Sequence, residues 1–234
     1  MKKVILTIAL GVASLITFAQ KPSPELLNPT NHSLVLIDHE GQMAFATHSI
    51  PMNELRDNTG LVAGASKIFK IPTVVTTVAE KSFSGPVFPE ILEFYPNTAE
   101  FIDRTTMNTW EDVKAYKAIT GKGKKKIVMA GLWTSVCVVG PVMSALNDGY
   151  DVYVITDASG DVTKEAHDQA ITRMVQAGAK PMTSIQYLLE LQRDWARQDT
   201  YKAVNDLVVK YAGSYGIGIQ YSRDVEALTL LIQQ

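Results

Sequence analysis

The fold is decided by "KIVMAGLWTSVCVVGPVMSALNDG", residues 126–149. After Lys126 the first residues are continuously apolar and rich in β-branched types, the pattern of a strand covered on both faces. From about Val136 the pattern is helical, and Gly149 stops it. A strand that runs through a short connector into a helix is half of a βαβ unit. The connector carries Cys137, the single cysteine among 234 residues.

The same alternation extends outward on both sides. "SLVLI" (33–37), "IPTVVTTVA" (71–79), "DVYVITDA" (151–158) and "AKPMTS" (179–184) read as strands. Helices are expected over 54–70, over 111–120, and from Thr163 to Gly178, with acidic residues early and, in the last two, glycine at the end. Strands alternating with helices predict an α/β fold, Rossmann-like, with a mostly parallel sheet between helical layers. Pro22, Pro24 and Pro29 make 20–32 an irregular lead-in to a domain over 33–200. The segment 201–234 reads as a helical extension, with "GSYGIGIQ" as an irregular break.

At the amino end, Lys2 and Lys3 precede the apolar run "VILTIALGVASLITFA", and Thr17-Phe18-Ala19 supplies small residues at a cleavage position. Residues 1–19 therefore read as a secretory signal peptide, and the mature chain as exported. Lys+Arg number 22 against 24 Asp+Glu, and removal of Lys2 and Lys3 moves the net charge from −2 to −4. That balance offers no electrostatic case for a nucleic-acid partner, nor for a membrane partner of the mature form.

Motif chemistry narrows the function further. There is no G-x-S-x-G elbow, and "GKGKKK" (121–126) lacks the residues of a phosphate-binding loop. His32, His39, His48 and His167 show no metal-ligand spacing, so no metal and no cofactor are expected. A lone thiol in an exported chain is buried, intermolecular or reactive. Ligands of such sheets bind beyond the carboxyl ends of the strands, where Asp38, Glu80 and Cys137 fall. In the first turn of its helix Cys137 would meet the positive dipole end, which lowers a thiol pKa, and free N–H groups able to hold an oxyanion. Asp38 is placed to act as general base, with Arg104 a candidate cation. His39 ranks below Asp38, because strand neighbours point to opposite faces.

The segments "LVLIDHEG", "IPTVVTTVAE", "RTTMNTWED" and "AGAKPMTS", together with the opening stretch, resemble the isochorismatase-like cysteine hydrolases, and within them the YcaC-like branch. The most specific piece is AG-x-x-T-x-x-C-V, filled by Ala130, Gly131, Thr134, Cys137 and Val138. The resemblance implies an α/β/α sandwich and a catalytic set of Asp38, a basic residue and Cys137, acting on a small amide or related C–N bond through a thioester. The basic position, usually lysine in the family, is Arg104 here; arginine stays protonated and so orients groups and stabilises charge. The family also implies a cis peptide at Leu132–Trp133 and an oxyanion hole from the N–H groups of Trp133 and Cys137. The metal cluster of the nicotinamidase branch, Asp-x-His-x-x-His, is missing. Trp133 and Trp110, with Phe83, are pocket candidates, and Glu80 is either a substrate contact or a salt-bridge partner. The branch forms closed rings, so a homo-oligomer taking a small-molecule substrate is expected. Two rival readings stand beside the hydrolase: a non-catalytic oligomeric scaffold or binding protein, and a redox-sensing thiol protein.

Overall fold

The computed structural model describes residues 21–232, and the expected signal peptide lies outside them. Six strands, β1 (His32–Ile37), β2 (Thr73–Val78), β3 (Ile102–Arg104), β4 (Lys126–Gly131), β5 (Asp151–Ile155) and β6 (Lys180–Met182), form one sheet. Their order is β3-β2-β1-β4-β5-β6, and every pairing is parallel. The order reverses at the β1–β4 boundary, the position at which open α/β sheets leave a crevice.

The helices are α1 (Gly41–Phe45), α2 (Met52–Ile68), α3 (Pro89–Leu92), α4 (Val113–Thr120), α5 (Val139–Asn147), α6 (Lys164–Gln176), α7 (Ser184–Gln192), α8 (Gln198–Tyr211) and α9 (Gly213–Ile232). Strand alternation divides them into two layers. Leu34, Leu36, Val128 and Ala130 face one apolar cluster with residues of α2, α7 and α8. Val35, Ile37, Ile127 and Met129 face the other, with α4, α5 and α6. Caps form where the sequence places them: Asp112 accepts from the N–H groups of Lys114 and Ala115, and Thr163 from Ala166.

Several expectations are corrected. The run 151–158 is a strand only to Ile155, and Thr156–Ala158 turns into a 3-10 helix. The three-residue β3 is too short to stand out by pattern, yet it carries Arg104. The expected break at "GSYGIGIQ" lies inside α9. Glycine serves close approach there, since a Cβ at Gly216 would run into the backbone of Val208 and Val209 in α8. Within the expected extension, Val204, Leu207, Val208 and Tyr211 of α8 bury in the same cluster as α2.

Candidate active site

Three chain segments bring polar groups to the carboxyl edge of the sheet. β1 ends at Ile37, and Asp38 then takes a left-handed backbone, φ 54°, which turns the chain off the sheet. The Asp38 N–H donates to the Thr76 carbonyl at 3.0 Å, and the Thr76 hydroxyl donates to Asp38 Oδ1 at 3.3 Å. At the end of β3, Arg104 Nη2 donates to Asp38 Oδ2 at 2.6 Å, with both side chains fully buried. The rest of the guanidinium is equally occupied: Nε donates to Thr109 Oγ1 at 3.1 Å and Nη1 to the Thr106 carbonyl. Arg104 is held as a fork, a role lysine cannot fill.

Cys137 arrives from β4. Gly131 is required there, because a Cβ would strike the Ile37 carbonyl of the adjacent strand. The Leu132–Trp133 peptide is cis. A single π-helical turn, Thr134–Val138, then precedes α5. The Cys137 thiol interacts with both the Asp38 carboxylate and the Arg104 guanidinium. Asp38, Arg104 and Cys137 thus meet in one buried centre, no more than 3% exposed each.

The electrostatics depart from the sequence expectation of an ionised thiol. Burial, and then the adjacent Asp38 charge, push Cys137 up to about 12, so the resting thiol carries its proton. The helix end does not offset this, because the N–H groups of the turn are already used. Thr134 donates to the Gly160 carbonyl at 2.9 Å, and Ser135 to the Asp161 carboxylate at 2.6 Å. The Val136 and Cys137 N–H groups both donate to the Trp133 carbonyl at 3.0 Å. The Cys137 N–H is therefore not the free oxyanion donor expected. The Trp133 N–H meets no acceptor among the described residues. Asp38 is raised to about 6, chiefly by burial, against the lowering effect of Arg104. A carboxyl so placed changes charge near neutral pH, the range useful to a general base.

Of the remaining candidates, Trp133 flanks the centre. Its indole Nε1 donates to the Met43 carbonyl at 3.0 Å and lies 3.2 Å from Thr47 Oγ1, and its ring meets Phe83 edge-on at 6.4 Å. Phe83 is 63% exposed. Trp110 is not brought there. Its Nε1 donates to Asp148 at 2.8 Å and its ring packs on Tyr116 and Tyr150, at the opposite, amino-terminal edge of β5. Half-buried Glu80 opens the turn after β2, where its N–H donates to Asp103 Oδ1, and among the described residues it makes no ion pair. His39 is buried: Nε2 donates to the Ala158 carbonyl at 2.9 Å, and burial lowers its pKa to about 4, so it is neutral.

Two residues escaped the sequence reading. His167 Nδ1 lies 2.8 Å from the Thr134 hydroxyl, which itself donates to the Gly160 carbonyl, so the imidazole is the donor. Glu40, two residues beyond Asp38, is fully buried; the spacing from Asp38 was the only signal. Among the described residues no group of His, Cys, Asp and Glu is arranged to hold a metal ion, and no helix is long and apolar enough to cross a membrane.

Residues 32–186 match the isochorismatase domain. The chain is 34% identical over 169 residues to the probable hydrolase YcaC of Escherichia coli, covering 72% of this chain and 81% of that protein. It is 26% identical over 183 residues to the secreted isochorismatase effector Isc1 of Phytophthora sojae, covering 77% and 86%. Among solved structures, YcaC of Pseudomonas aeruginosa with hexane-2,5-diol and covalent acrylamide superposes with TM-score 0.79 at 31% identity, covering 86% of this chain and 98% of that one. The YcaC gene product of E. coli, described as an octameric hydrolase of unknown specificity, superposes with TM-score 0.80 at 32% identity, covering 88% and 99%.

Proposed function

The chain belongs to the isochorismatase family, in its YcaC-like part, and from that premise we propose that it is a cysteine hydrolase of small amides or related C–N compounds. The observation that carries this reading is the convergence of Asp38, Arg104 and Cys137 in one buried centre. In the resting state Asp38 is a carboxylate above about pH 6 and Cys137 a thiol. As Sγ attacks the carbonyl carbon, the thiol proton passes to Asp38, and Arg104 remains between the two sites of negative charge. The oxyanion accepts the unpartnered N–H of Trp133. The C–N bond then breaks, the proton on Asp38 leaves with the amine, and a thioester remains on Cys137. Water gives its proton to Asp38 and its hydroxyl to the thioester carbon, which frees the acid and restores the thiol. The burial of all three groups favours small substrates.

Covalent acrylamide on the P. aeruginosa protein suggests the probe. Acrylamide should attach to Cys137 of the folded chain, and a panel of primary amides should release ammonia with wild-type protein and not with Cys137→Ala. Ammonia release equal in both proteins would refute the assignment.

A second reading, a non-catalytic scaffold of the same fold, draws on the thiol itself, buried and raised to about 12. It predicts no turnover of any amide and no acrylamide adduct without unfolding. The redox-sensing alternative lacks the exposed, ionised thiol that oxidation requires.

Export and assembly complete the proposal. The leader pattern at 1–19 supports secretion, checked by the amino-terminal sequence of protein recovered outside the cytoplasm. The octameric E. coli relative and the exposed Phe45, Met107, Ile217 and Tyr221 support a closed homo-oligomer, checked by light scattering.

A further inference from the structure

Glu40 has no part in the chemistry above, yet its setting is unusual. The residue is fully buried. Oε2 accepts the Val78 N–H at 2.9 Å, at the end of β2, where Val78 pairs with Arg104 of β3. Oε1 is buried with no hydrogen-bond partner. The Glu40 N–H donates to the Asp38 carbonyl at 2.8 Å, so the side chain is tied to the turn that presents the Asp38 carboxylate. The charged groups facing it are Asp38 from the end of β1, Glu80 from the turn after β2, and Asp103 from β3, all acidic. The nearby cation, Arg104, is committed to Asp38, Thr106 and Thr109.

A buried carboxylate needs several donors or a cation, and this one has a single N–H. We propose that Glu40 is a positioning residue that pins the Asp38 turn to the end of β2 as a neutral carboxylic acid, so that the centre holds one negative charge opposite Arg104. Burial, and the three facing carboxylates, raise its pKa to about 8, which keeps the proton in place at neutral pH. Above that pH a second negative charge forms next to Asp38 and opposes ionisation of the Cys137 thiol. The inference rests on the reading of Cys137 as nucleophile.

The test follows the rate of acrylamide attachment to Cys137 by intact mass, from about pH 6 to about pH 9, in full-length wild type and Glu40→Gln. Glutamine keeps an acceptor for Val78 and cannot ionise. The ratio of variant to wild-type rate should be constant below pH 7 and climb through about pH 8, by about tenfold for each unit that the second charge adds to the thiol pKa. A ratio flat across the whole range overturns the proposal. Infrared spectra of the wild type give a measurement free of the variant. A carboxylic-acid carbonyl band that persists above the Asp38 titration and disappears near pH 8 supports the proposal, and its absence overturns it. No attachment at any pH would instead defeat the nucleophile assignment, and the infrared band would then decide Glu40 alone.

Discussion

Arg104 and Asp38 form a fully buried ion pair, 2.6 Å from Nη2 to Oδ2, at the point where β1 and β3 release their chains. Two charges out of water hold together only because the remaining donors and acceptors are met, by Thr76, Thr106 and Thr109. Arg104→Ala leaves the Asp38 charge alone in the interior and should cost about 3–5 kcal/mol of stability. Arg104→Lys retains the charge but abandons the Thr106 and Thr109 bonds, and should cost about 1–3 kcal/mol. Urea unfolding midpoints of both variants check the order.

The ionisation of Asp38 gives the acid limb of reactivity. Acrylamide attachment to Cys137 should fall about tenfold per pH unit below about pH 6, as the base takes up its proton. In Asp38→Asn that limb should vanish, together with most of the rate.

Stability should run the other way. Asp38 and Glu40 both bind protons more tightly folded than unfolded, with pKa values raised to about 6 and about 8. Their contribution is complete below the unfolded carboxyl pKa and is lost as pH rises through the folded values. Wild-type unfolding midpoints should therefore decline across the interval from about pH 4.5 to about pH 8, and Glu40→Gln should flatten the upper part of that decline.

His167 braces the nucleophile turn through Thr134. His167→Ala should cost about 1 kcal/mol in stability, the worth of one hydrogen bond. The same change should slow acrylamide attachment by up to about 100-fold, because the turn that aims Sγ is released. His167→Asn, which can still donate, should recover part of the rate, measured on folded protein by intact mass.

Gly131 tests the close contact of β1 and β4. Gly131→Ala should destabilise by about 1–3 kcal/mol through its clash with the Ile37 carbonyl. A neutral change would mean that the two strands can separate without cost.

Much of this was readable in the chain. Continuous apolar runs marked β1, β2, β4 and β5, because strands covered on both faces need no polar alternation. Cys137 and Asp38 were found because each ends such a run. What failed was everything set by distant partners. Arg104 sits on a strand of three residues, and residue pattern alone did not single it out. Trp110 resembled a pocket aromatic until Asp148 and Tyr150 claimed it at the far edge. The thiol's charge state was misjudged since the sequence does not say which N–H groups are already bonded, and Asp161 and the Trp133 carbonyl take them. Glu40 had only its spacing from Asp38 to mark it, because nothing in "DHEG" records burial.

The sheet order β3-β2-β1-β4 means that the three converging side chains come from segments 66 and 33 residues apart, each joined by a crossover. No hairpin or local fragment can assemble them, and such non-local closures are slow steps of folding. The burial of this sulfur during renaturation would thus report the joint docking of β1, β3 and β4, which no single fragment can bring about.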